Sequence, residues 1–77
     1  MDLQEMRAAY AAGRLSEAII EPCAEGNGWT VVFRQTDGAL ARLTDHAGAD
    51  KIYHTLDHAT ELAKEVGFDA VRVEEPF

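Results

Sequence analysis

The sequence predicts a two-layer α+β domain with element order α-β-β-β-α-β, a mainly antiparallel sheet and both helices on one sheet face. Three observations lead there. Apolar residues recur at helical spacing in two separate stretches, "DLQEMRAAYAAGRL" and "TLDHATELAKEVG". Between them, "SEAIIEPCAEGNGWTVVFRQTDGALARLT" alternates as strands do and carries two turn dipeptides, Asn27-Gly28 and Asp37-Gly38. A last stretch, "DAVRVEE", alternates again. Two amphipathic helices must bury their stripes, and one face of a small sheet is the natural place.

The first helix is expected to start at Asp2, with Glu5 in capping-box position, and to end at Gly13. Leu3, Met6 and Tyr10 form its stripe. In the meander, Trp29, Val31 and Phe33 share one face by alternation. A two-residue Asn27-Gly28 turn sets Ala24 opposite Val31, Pro22 opposite Phe33 and Glu21 opposite Arg34, with Ile20 on the core face. A three-residue turn there would bury Glu21 without a partner. The second turn reads the other way. A three-residue Thr36-Asp37-Gly38 loop, with Gly38 in a left-handed bulge position, sets Ala41 opposite Phe33 and Leu43 opposite Val31. Pro22 suggests an edge or bulged position for the first strand. "DHAGADKIYH" reads as a polar loop. Thr55 caps the second helix, and Leu56, Ala59, Leu62, Ala63 and Val66 form its stripe. Gly67 ends it, with Phe68 folding back on Leu62 or Ala63. Val71 and Val73 point inward on the final strand and Arg72 outward.

At 77 residues the chain is read as a single domain, 1–77, with a thin core. Cys23 is the only cysteine, so an internal disulfide and a Cys-rich zinc site are both excluded. A lone thiol fits a reducing cytoplasm, and no signal peptide or membrane span is expected. The formal charge of −7 opposes phosphate backbones and anionic membranes, so direct nucleic-acid binding is disfavoured. A protein partner is not.

No chemistry-bearing constellation is complete. His54 and His58 are spaced like a helical ligand pair, but His54 precedes the expected cap, and completing a site would need His46, Asp45 and Asp50 to fold back. Cys23 has no histidine near it in sequence and takes outward parity, across from Val32 in the expected register. "GNG" is a hairpin turn rather than a phosphate loop, and Ser16, the only serine, lacks a nucleophile-elbow context. No catalytic residue, cofactor or metal ligand is therefore assigned. The outer sheet face says more. Arg34, Arg42 and Arg72 all take outward parity, with Ile19, Val32 and Leu40 among them and Glu17, Glu21 and Glu74 beside them. The plain reading is a wet face with cross-strand charge pairs. The sharper reading is an interaction surface of Ile19, Val32, Arg34, Leu40, Arg42 and Arg72.

The stretch "IYHTLDHATELAKEVGFDAVRVE" resembles the C-terminal part of small bacterial proteins, often plasmid-encoded, known as ParC-like partition and RepB-like replication accessory proteins. Tyr53, Thr55, Leu56, Asp57, Ala59, Gly67, Phe68, Val71 and Val73 carry the likeness, and the "GNGWTVVF" hairpin is similar too. The resemblance implies the same fold, a bacterial source and a role in plasmid partition or replication. It transfers no catalytic residue. The expectation is thus a non-enzymatic, cytoplasmic protein-interaction module, pairing with another protein or as a homodimer. The alternatives are a nucleic-acid-associated factor using Arg34, Arg42 and Arg72, and a small-ligand or metal-binding domain at the 45–58 loop.

Overall fold

The computed structural model describes residues 1–23 and 28–74. The element order is α1 (Leu3–Ala11), β1 (Leu15–Pro22), β2 (Trp29–Gln35), β3 (Leu40–Arg42), α2 (Leu56–Val66) and β4 (Arg72–Val73). The four strands form one sheet in the order β3-β2-β1-β4, antiparallel except for the β1–β4 pair. The chain is an α+β domain of the expected order.

Local chemistry explains both helices. Asp2 caps α1: its carboxylate accepts the Glu5 N–H at 2.8 Å, and the Glu5 side chain accepts the Asp2 N–H at 3.0 Å, a closed capping box. At the other end Gly13 and Arg14 donate to the carbonyls of Tyr10 and Ala9, the paired bonds of a Schellman motif. Thr55 caps α2 by accepting the His58 N–H at 3.1 Å, and Gly67 ends it. Both helices place their apolar residues in one core. Met6 and Ala9 of α1, and Ala59, Ala63 and Val66 of α2, join Leu15, Ala18, Ile20, Val31, Phe33, Leu43 and Tyr53. Leu62 is half-buried at its margin. Phe68 folds back as expected, its N–H reaching the Ala63 carbonyl at 3.2 Å, and its ring also stacks on Phe33 at 5.7 Å and meets Tyr10 edge-on at 4.9 Å.

The second hairpin has the expected register: Phe33 faces Ala41, and the Leu43 N–H reaches the Val31 carbonyl. Thr36-Asp37-Gly38 is the loop, with Gln35 bonded to Ala39 across it and Gly38 at φ +94°. The first hairpin differs. Val31 faces Ile20, Phe33 faces Ala18 and Pro22 faces Trp29, a slide of four residues from the two-residue turn. Pairing continues to Cys23, whose N–H meets the Gly28 carbonyl at 2.7 Å. Ala24 and Asn27, on which the expected two-residue turn rested, lie outside the described residues. A slide of four preserves which side chains face the core, so alternation alone could not detect it. Volume decides it: small Ala18 opposite Phe33 leaves room for Phe68 to stack on that ring. A bulge between Leu15 and Glu17 then turns Leu15 into the core.

Pro22 is not on an edge strand, because β1 lies between β2 and β4. Its pairing across from Trp29 leaves its nitrogen facing β4. The Glu74 N–H already meets the Ile20 carbonyl at 2.8 Å, and the next rung of a parallel ladder would need an N–H at residue 22. Proline has none, so it stops the β1–β4 ladder there.

Candidate functional site

The segment after β3 is more ordered than a plain polar loop. Asp45 Oδ1 accepts the N–H groups of Ala47 and Ala49, and Thr44 bridges to Asp50. The chain then returns to β2, where Trp29 and Tyr53 exchange both backbone hydrogen bonds, at 2.7 and 2.8 Å. Two concavities border this segment. One, about 540 Å³, lies on the outer sheet face, among Glu21, Thr30, Arg42, Asp50 and Ile52. The other, about 610 Å³, lies between the first turns of α1 and residues 43–53.

The outer face combines a sealed centre with an exposed margin. Ile19 and Val32 lie opposite each other, outside the main core, yet are only 2% and 1% exposed, so they do not form the open apolar centre expected of this face. Their neighbours across the sheet explain the cover: Arg72 flanks Ile19 and Arg42 flanks Val32, and long basic side chains lay their methylenes over apolar surface. The arginine heads are held by carboxylates. Glu17 meets Arg34 at 3.7 Å and Arg72 at 3.2 Å, Glu74 meets Arg72 at 2.8 Å, and Asp50 meets Arg42 at 3.5 Å. Glu21, expected opposite Arg34, instead faces Thr30, because the hairpin slid and brought Glu17 to Arg34. Cys23 borders the outer hollow, across from Gly28 rather than Val32. What stays open is the β3 side, where Leu40 is 54% and Ile52 44% exposed, on either side of the Arg42–Asp50 pair.

The histidines do not converge. His54 is exposed and precedes the cap, while the His58 ring sits edge-on against Tyr53 at 4.9 Å. His46 goes to Asp2, Nδ1 to Oδ2 at 2.9 Å. The Glu5 N–H, more than His46, holds the Asp2 carboxyl below its usual range, while burial pushes the Tyr53 phenol up. Among the described residues no three His, Cys, Asp or Glu side chains are grouped to hold a metal ion, and no helix is long and apolar enough to cross a membrane. His54→Ala and His58→Ala are each expected to change unfolding free energy by less than about 0.5 kcal/mol, the usual scale for exposed positions. Leu62→Ala, half-buried, should cost about 1–3 kcal/mol, near the low end for buried leucine. Urea titration measures all three. A histidine variant costing as much as Leu62→Ala, and rescued by zinc, would instead place a metal at α2.

Fold and site together define a small two-layer α+β domain with a charge-laced outer face and a groove beside α1. No family model, curated protein or solved structure matches the chain.

Proposed function

We propose that the chain is a non-enzymatic protein-interaction module that pairs with a second copy of itself through the β3 side of its outer sheet face, in an accessory role in cytoplasmic plasmid partition or replication. The plasmid role rests on the resemblance alone, carried by residues 52–74 and the "GNGWTVVF" stretch. The pairing rests on one observation: exposed Leu40 and Ile52 flank an ion pair, Arg42–Asp50, beside a hollow. A two-fold operation can pack Leu40 and Ile52 of one copy against the same patch of the other, with the Arg42–Asp50 pair kept intact between them. The nucleic-acid alternative draws less support, since Arg34, Arg42 and Arg72 already meet carboxylates and the net charge opposes phosphate.

Sedimentation velocity tests the pairing. Wild type is expected to sediment as a dimer at high micromolar concentration, and Leu40→Glu as a monomer with unchanged thermal stability. Val32→Glu is unsuitable as the probe, because a carboxylate at a 1% exposed site unfolds the chain whatever the interface. A monomeric wild type, or a dimer indifferent to both Leu40→Glu and Ile52→Glu, would reject the pairing.

A further inference from the structure

We propose that the groove between α1 and residues 43–53 binds an amphipathic organic anion, a carboxylate carried on a small apolar body. The groove holds about 610 Å³, within the range of small-molecule sites. Leu3, Leu43, Tyr53 and Leu62 give it apolar walls, and Arg7 and Lys51 border it.

The charges there are unequal in availability. Asp2 and Asp45 also line the groove, but both are engaged. Asp2 takes the Glu5 N–H on one oxygen and His46 on the other, while Asp45 Oδ1 takes two backbone N–H groups. Arg34, Arg42 and Arg72 are all ion-paired on the outer face. Arg7 and Lys51, by contrast, make no ion pair among the described residues, in a chain with twice as many acids as bases. Two available cations at the rim of one apolar-walled groove suit a ligand with a single anionic end. Arginine can grip a carboxylate with two parallel hydrogen bonds, and lysine adds a point charge. The apolar walls disfavour inorganic phosphate as the whole ligand, since they offer it nothing.

The test is titration of the ¹⁵N-labelled full chain with 3-phenylpropionate, alongside its neutral amide and inorganic phosphate. Saturable shifts are expected at the amides of Leu3, Gln4, Thr44 and Lys51 with the carboxylate alone. Arg7→Gln and Lys51→Gln should each weaken binding about tenfold, the scale of one charge-assisted bond. Arg14→Gln and Lys64→Gln, cations outside the groove, should leave it unchanged. Equal binding of the neutral amide would show an apolar hollow with no anion site. The same shifts with phosphate would show an adventitious ion only. Equal weakening by Arg14→Gln would show long-range charge alone. Any of these, or shifts that fail to saturate, overturns the proposal.

Discussion

Gly28→Ala is expected to destabilise the protein by about 2–4 kcal/mol, well beyond the few tenths typical of an exposed loop. A Cβ at residue 28 would lie far inside van der Waals contact of the Tyr53 carbonyl oxygen and 2.9 Å from Ile52 Cγ2. The carbonyl is backbone and cannot rotate away. It is also the acceptor of the Trp29 N–H, so moving it breaks the paired bonds between Trp29 and Tyr53. Two buried-edge hydrogen bonds at about 1 kcal/mol each, plus lost packing of Tyr53, give the stated range. In a domain of this size the melting temperature should fall by roughly 10–20 °C. Trp29 is the only tryptophan, so its emission reports the detachment directly. A variant with wild-type stability and emission would mean that the 52–53 segment does not lie against residue 28.

That role of Gly28 was hidden behind a stronger local signal. Asn-Gly reads as a two-residue hairpin turn, yet Gly28 is already paired with Cys23 and its need for a missing side chain comes from a residue 25 positions away. The second hairpin was legible because a two-residue Asp37-Gly38 turn would put Arg42 opposite Phe33, an error that alternation exposes. The first was not, since sliding by four residues leaves every face unchanged and only the fit of Ala18 against Phe33 and Phe68 separates the two. Helix ends were the most legible features, because Asp2–Glu5 and Thr55–His58 are contacts within one turn. β4 could be seen in the sequence, but its parallel place beside β1 could not, since no local pattern records which strand a two-residue segment joins.

The candidate site followed the same division. Alternation placed Arg34, Arg42, Arg72, Ile19, Val32 and Leu40 on the outer face, which they share. It could not say that Ile19 and Val32 are sealed, because that depends on flanking arginines from two other strands. The sequence pointed to a ligand only through the 45–58 loop, and the α1 wall of the groove was missed because the parts are scattered. Arg7 sits on a helix, Lys51 in a loop and Leu43 after a strand, with no shared spacing to reveal them. The one available hint was negative: neither Arg7 nor Lys51 takes outward parity on the sheet with Arg34, Arg42 and Arg72.

The second large effect is expected at Gly67. It ends α2 at φ +142°, a conformation that residues with a side chain rarely adopt, and a Cβ there would meet the Tyr10 ring, 2.8 Å from Cζ. Gly67→Val should therefore cost about 1.5–4.5 kcal/mol: about 1–3 from the backbone and about 0.5–1.5 from pushing Tyr10 off Phe68. Gly13→Ala separates the two causes. Gly13 also has positive φ, +75°, but nothing lies within 4 Å of its Cβ direction, so only the backbone cost applies and about 1 kcal/mol is expected. A double-mutant cycle completes the argument. Tyr10→Ala removes the obstructing ring, so Gly67→Ala should cost about 0.5–1 kcal/mol less in that background than in wild type. Strict additivity in urea titrations would show that Tyr10 does not rest on Gly67, and a Gly67→Val variant as stable as Gly13→Ala would remove the need for glycine at the end of α2.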